Sequence, residues 1–195
     1  MFYLLRLGSD PQGRLLVRAQ RGDENAFGAL YDQLYPRVWR FVWRRTHHRQ
    51  DAEDVVSRTF HRVLEMLQEI DPRRGSAVGF VLAIARNILI DDARARRPTV
   101  PLEELKDVLI GEASPHADFE REEDRRAVRA ELARLDPQGR DLLLLRFADG
   151  LRHSEIAAML GISEAAARQR CSRALNTVAR ALQERSAPST KMVTR

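Results

Sequence analysis

A chain of 195 residues with 44% hydrophobic and 31% charged side chains carries enough apolar surface for packed cores and lies outside the compositions that stay disordered. Its net charge of +5 is unevenly distributed, with 17 basic and 12 acidic side chains in residues 1–100, 2 and 8 in 101–123, and 11 and 7 in 124–183. Two cationic blocks around an acidic one suit a polyanion such as nucleic acid at two places, and a lone cysteine, Cys171, excludes both an internal disulfide and a Cys-based zinc site.

The cation is almost all arginine, since Lys106 and Lys191 are the only lysines. A GC-rich genome accounts for that bias as well as a preference for phosphate and guanine edges does. No apolar run approaches the roughly 20 residues that cross a bilayer, and Met1–Leu5 is too short for the apolar region of a signal peptide. The expectation is a cytoplasmic protein, neither inserted in a membrane nor exported by its own sequence.

From Leu15 to Arg97 the apolar residues recur at helical spacing, without the alternation that marks strands. Leu15, Leu16 and Ala19, then Phe27, Leu30, Tyr31 and Leu34, predict a helical hairpin around Gly22-Asp23, with Asp23 as a cap. Pro36 predicts a bend or a new start, and Val38, Trp39, Phe41 and Val42 carry a helix to His47-His48. Another spans Asp51 to Leu67, with Val55, Val56, Phe60, Val63, Leu64 and Leu67 on its apolar side. Asp71–Ser76 reads as a turn-rich loop, and a last helix from Val78 to Arg96 is stopped by Pro98.

Residues 98–122 hold three prolines, Gly111 and most of the acidic excess, and read as a tether. Helical periodicity resumes at Asp124 with Val128, Leu132, Leu135 and Leu142–Phe147, followed by a turn at Ala148-Asp149-Gly150. A short helix Ser154–Leu160, a turn at Gly161 and a long helix from Glu164 to about Gln183 form a helix-turn-helix layout. The tail after Ser186 is expected to be mobile. The expected fold is therefore all-α: two small helical domains, residues 1–97 and 124–185, joined by an acidic flexible linker over 98–123, with a tail at 186–195.

In the C-terminal unit Ala157, Gly161 and Ile162 supply the small residue, tight turn and apolar plug that two crossing helices need, and Ser163 caps the second helix. Ala167, Cys171, Ala174, Leu175 and Val178 define its buried face, leaving Glu164, Ala165, Arg168, Gln169 and Ser172 outward. The start of such a second helix enters the major groove, so Arg168 and Gln169 are candidate base readers, and Arg170 and Arg173 candidate phosphate contacts. Cys171 reads as a core residue.

In the N-terminal unit Asp51, Glu53 and Asp54 fall within about one helical turn, which suits a helix N-terminus or a surface that docks a basic partner. No partner histidine stands at ligand spacing, and His47 and His48 point apart, so no metal or catalytic site is expected. The loop Arg73-Arg74-Gly75-Ser76 and the helix from Phe80 to Arg97 mix cations, a hydroxyl, the Asn87 amide and an aromatic, a composition suited to unstacked bases of a single strand. Phe80, Ile84 and Ile88 themselves are expected in the core.

Ala52-Glu53-Asp54, Phe60 and Ile84-Ala85-Arg86-Asn87 with Asp91 resemble the first domain of extracytoplasmic-function (ECF) sigma factors. Leu142–Phe147, Gly150-Leu151, Glu155-Ile156-Ala157, Leu160–Glu164, Arg168, Arg170 and Arg173-Ala174-Leu175 resemble that family's C-terminal helix-turn-helix domain. The resemblance covers residues 15–97 and 125–183, in the family's order. It implies three contacts: Asp51, Glu53, Asp54 and Ser57 on core RNA polymerase; Arg73, Arg74, Ser76, Arg86 and Asn87 on flipped bases of the minus-10 element; and Ser163, Glu164, Arg168, Gln169, Arg170 and Arg173 on the minus-35 duplex. It also implies an anti-sigma factor as a partner, an acidic linker that mimics nucleic acid in the polymerase channels, no cofactor, and a chain that is not itself an enzyme.

The chain departs from the family at Ser57-Arg58-Thr59, where glutamine, glutamate or valine is usual, and at Phe80, in the place of a tryptophan. Ala165-Ala166-Ala167 replaces a glycine-threonine-valine run, and Cys171 a leucine. These predict an altered polymerase contact and a thinner seam under the reading helix. The rival reading is a conventional helix-turn-helix regulator that binds duplex DNA as a dimer without polymerase.

Overall fold

A computed structural model describes residues 11–71, 75–95 and 119–186. The chain divides into two compact units, one within residues 1–101 and one within 102–195. Among the described residues every regular element is helical, as the periodicity predicts. The loop arginines Arg73 and Arg74, most of the expected linker and the tail after Ser186 lie outside the described residues.

In the first unit α1 (Pro11–Gln20) and α2 (Glu24–Thr46) form the expected hairpin. The Asp23 side chain accepts a hydrogen bond from the Ala26 backbone N–H at 3.0 Å and pairs with Arg18 at 2.6 Å. Along α2 the residues Ala26, Leu30, Leu34, Val38, Phe41 and Val42 are buried in one stripe. Pro36 lies inside that helix without ending it. Proline in a helix interior costs about 3 kcal/mol, and apolar residues buried in register on both sides offset it. Arg40 Nε donates to the Pro36 carbonyl at 3.1 Å. The helix ends where His47 adopts φ 57° and returns its N–H to the Trp43 carbonyl. On its outer side Tyr31, Tyr35, Trp39 and Trp43 follow one another at ring separations of 5.5, 6.3 and 6.0 Å.

Helix α3 (Arg49–Glu65) buries Ala52, Val55, Val56, Thr59, Phe60 and Val63. Leu64, expected on that apolar side, is instead 53% exposed, because it falls just outside the arc that α2 and α4 cover. A 3-10 turn, Leu67–Glu69, follows, and the Gln20 amide donates to the Leu67 and Ile70 carbonyls, tying the end of α1 to it. Helix α4 (Ala77–Ala95) buries Ala77, Val78, Val81, Leu82, Ile84 and Ala85 against α2 and α3. Of the expected core residues on it, Ile84 is buried, while Phe80 and Ile88 are half-buried.

In the second unit α5 (Phe119–Arg134) begins five residues before the expected start at Asp124, so part of the acidic stretch assigned to the tether is helical. Arg140 donates to the Leu132 and Leu135 carbonyls at the end of α5, a cation closing a helix C-terminus. Helix α6 (Pro137–Leu143) starts on an Asp136 cap, and a Cβ on Gly139 would meet the Asp136 carboxylate at 2.9 Å, so the residue there must be small. Leu144–Ala148 then widens into a π-turn, in which the Asp149 N–H reaches back five residues to the Leu144 carbonyl. The extra residue keeps Leu145 buried and turns Phe147 outward, 62% exposed.

Helix α7 (His153–Leu160) ends at Gly161, whose φ of 65° is open to glycine at no steric cost. Helix α8 (Glu164–Ser186) follows. The seam beneath it is Leu143, Cys171, Ala174 and Val178, with Leu132, Leu135 and Leu182 packed around it. The buried Glu131 pairs with Arg134 at 2.8 Å and with Arg185 at 3.1 Å, fixing the end of α8 to α5.

The backbone N–H of Ala26 and the Arg18 guanidinium hold the Asp23 carboxyl below its ordinary value of 3.8. A lowered carboxyl contributes stability that is full above the ordinary value and lost as the pH falls through the lowered one. Asp23→Ala is expected to lower the melting temperature of the first unit by several degrees at pH 7, and circular-dichroism melts should show the gap narrowing below pH 3.8.

Candidate nucleic-acid interface

The helix-turn-helix is built from α7, the Gly161 turn and α8. Ser163 Oγ accepts from the Ala166 N–H at 3.1 Å, the cap that the sequence predicts. Of Ala165-Ala166-Ala167 only Ala167 is buried, so the thin part of the seam is Ala167 with Cys171. Leu175, expected on the buried face, is 44% exposed: it lies one position round from Ala174, beyond the arc that α5 and α6 cover.

Glu164, Arg168, Gln169, Arg170 and Arg173 are all exposed. Along α8 the exposed residues Arg168, Gln169 and Arg173 share one open face with Ala165, Ser172, Asn176, Thr177 and Arg180, and Arg170 is not part of it. The polar face therefore continues two turns past Arg173. Stepping three or four residues on from Arg173 reaches Asn176, Thr177 and Arg180, so helical periodicity alone would have found them. Arg168 is paired with Glu164 at 3.0 Å, one turn back, which orients the guanidinium along the helix.

In the first unit Glu53, Asp54 and Ser57 are exposed on α3 and Asp51 is half-buried. Glu53 pairs with Arg49 at 2.8 Å and Asp54 with Arg58 at 3.1 Å. Arg58 also reaches across to Asp92 on α4 at 3.0 Å, and the hydrogen bonds it donates to Asp54 and Asp92 raise its pKa. Thr59 is fully buried and its hydroxyl donates to the Val55 carbonyl at 2.6 Å, so of the three unusual residues Ser57-Arg58-Thr59 only the first two reach the surface.

Between α3 and α4 runs a groove of about 710 Å³ whose lining includes Ser57, Arg58, His61, Arg62, Phe80, Asn87 and Asp91. It joins Ser57, predicted to face a protein, with Asn87, predicted to face DNA. Arg86 is half-buried and lies outside this lining. Ser76 Oγ accepts from the Gly79 N–H at 3.0 Å and caps α4, a structural duty beside the base contact that the resemblance implies. Among the described residues no three His, Cys, Asp or Glu side chains are placed to hold a metal ion, and no helix is long and apolar enough to cross a membrane.

The sequence matches Sigma-70 region 2 over residues 30–99 and Sigma-70 region 4 over residues 125–178. It is 30% identical over 152 residues to the ECF RNA polymerase sigma factor RpoE of Cereibacter sphaeroides, covering 75% of this chain and 82% of that protein. The chain belongs to the ECF sigma factor family.

Other ECF sigma factors resemble it over similar spans. BldN of Streptomyces coelicolor is 33% identical over 170 residues, 86% of this chain and 64% of BldN. The chain spans 44% of the probable sigma factor RfaY of Xanthomonas campestris pv. campestris, at 29% identity over 87% of its own length. Among solved structures, CnrH in complex with the cytosolic domain of CnrY is 25% identical, with a TM-score of 0.62, over 91% of this chain and all of that one. RpoE with the anti-sigma factor NepR from Bartonella quintana shares the fold at 19% identity, with a TM-score of 0.61, over 80% and 96%. In this ECF sigma factor the region 2 match takes in α3 and α4 and begins inside α2, leaving α1 outside it.

Burial pushes the Cys171 thiol above its ordinary pKa, which suppresses its thiolate. A disulfide reagent is expected to modify Cys171 only as fast as the second unit unfolds. Cys171→Ser is expected to cost about 1–2 kcal/mol in denaturant titration, through a buried hydroxyl in the α8 seam.

Proposed function

We propose that the chain is an alternative sigma factor that binds core RNA polymerase, directs it to promoters and supports DNA melting and transcription initiation. The polymerase supplies the chemistry, so this chain is not an enzyme, and it works in the cytoplasm without a cofactor. One observation supports this reading above the others: a single chain carries, in order, a helical unit with exposed acids on α3 beside the Asn87 groove, and a capped helix-turn-helix with a polar outer face.

In this reading residues 1–97 bind the core and the minus-10 element, 98–123 are the linker, 124–185 bind the minus-35 element, and 186–195 are a tail. Asp51, Glu53, Asp54 and Ser57 face the clamp helices of the polymerase, where acids meet a basic surface. Arg73, Arg74, Ser76, Arg86 and Asn87 hold bases flipped from the non-template strand. Unstacking costs about a few kcal/mol per base, so the site favours the bases it fits. Ser163, Glu164, Arg168, Gln169, Arg170 and Arg173 meet the minus-35 duplex, Arg168 and Gln169 at base edges and the other arginines at phosphates. An anti-sigma factor that covers these surfaces is the expected protein partner; CnrH, similar in fold and sequence, forms a complex with the cytosolic domain of CnrY.

The test combines purified chain, bacterial core polymerase and a fragment of its own promoter, with permanganate reactivity of unpaired thymines as readout. Melting is expected, and Asp54→Arg and Asn87→Ala are each expected to abolish or sharply reduce it. Arg168→Ala is expected to weaken the minus-35 contact by about 1–3 kcal/mol with relaxed base preference. No core binding, together with a dimeric shift of duplex DNA by the chain alone, would overturn the reading in favour of a conventional regulator.

A further inference from the structure

The Arg58 guanidinium occupies the place that a partner's cation would take at Asp54. Its Nη1 lies 3.1 Å from Asp54 Oδ2 and 3.0 Å from both Asp92 oxygens. The Asp54 side chain is 61% exposed and that of Asp92 only 22%, so of the two carboxylates Asp54 is the one open to another molecule. Arg58 is itself 45% exposed, and its partners come from two helices, Asp54 one turn back on α3 and Asp92 34 positions on, on α4.

We infer that Arg58 is an internal competitor that sets how tightly the α3 surface binds a basic partner, an inference that rests on the reading of α3 as the polymerase-docking helix. A basic group that takes Asp54 Oδ2 must displace one arm of the Arg58 bridge, and one that takes the open Oδ1 still meets the repulsion of the Arg58 cation. Arg58 retains Asp92 when that happens, so no charge is stranded, and the exchange costs one exposed ion pair rather than a buried one. The same cation lowers the negative potential of the face that carries Glu53 and Asp54. The surface is therefore weaker than its count of acids suggests, and its affinity depends on a residue that stands where the sequence departs from the resembling family.

The experiment measures equilibrium binding of the full chain to core RNA polymerase for wild type, Arg58→Gln, Asp54→Asn and the double variant, at low and high salt. Arg58→Gln is expected to bind roughly 2- to 5-fold more tightly at low salt, the worth of one exposed ion pair, with the gain shrinking as salt rises. Asp54→Asn is expected to cost more in the Arg58→Gln background than in wild type, because only there is Asp54 free before the partner arrives. Equal or weaker binding by Arg58→Gln, with helicity and melting temperature unchanged, overturns the inference and makes Arg58 a bystander or a contact in its own right. Absence of core binding by every variant, wild type included, overturns the sigma reading itself and the inference with it.

Discussion

The buried stripe of α2 is the constraint on which the first unit depends. Ala26, Leu30, Leu34, Val38 and Val42 recur every fourth residue, Phe41 fills the remaining gap, and α1, α3 and α4 each close on that helix. A stripe at a spacing of four drifts slowly around a helix of 3.6 residues per turn, so over 23 residues it presents successive arcs to successive neighbours. Continuity through Pro36 follows, since a break there would put Val38, Phe41 and Val42 out of register with the helices that cover them. With α2 continuous, α3 and α4 both pack on it and on each other, and the groove holding Ser57 and Asn87 exists only because they do.

The second unit buries leucines on its other helices, Leu142, Leu143 and Leu145 among them, but the face that α8 turns to them is made largely of small residues. Ala167, Cys171 and Ala174 are the small buried residues of that face, and Gly139 admits the Asp136 cap beneath Ala174. Less apolar area is buried than leucines would bury, and polar ties make up part of the difference. Glu131 with Arg185 holds the far end of α8, and Arg140 closes the end of α5. The first tie fixes the C-terminal end of α8 to α5, and the second fixes α6 to the end of α5, so the helices that back α8 are held to one another as well.

Arginine does several different jobs in the molecule. Arg140 and Arg185 serve the fold; Arg45 lies 3.8 Å over the Phe41 ring. Arg49, Arg58 and Arg168 are matched to carboxylates on their own helices. A net charge of +5 therefore says less about the surface offered to a partner than the positions of Gln169, Arg173 and Arg180 on one helical face do.

Where the chemistry is local, the sequence by itself determined the outcome. Helical periodicity, the Asp23 and Ser163 caps, the Gly161 turn and the outward face of α8 all depend on residues within one or two turns, and all stand in the structure as expected. The tertiary structure decided what depends on which arc of a helix a neighbour covers. Leu64 and Leu175 are apolar and correctly spaced, yet each lies one position beyond the covered arc and stays exposed. Pro36 was absorbed because burial on either side outweighed its cost, a balance that no local rule contains. The meeting of Ser57 with Asn87, and of Arg58 with Asp92 34 residues away, exists only once two helices are packed, because the energy of such contacts belongs to positions in space and leaves no periodic trace along the chain.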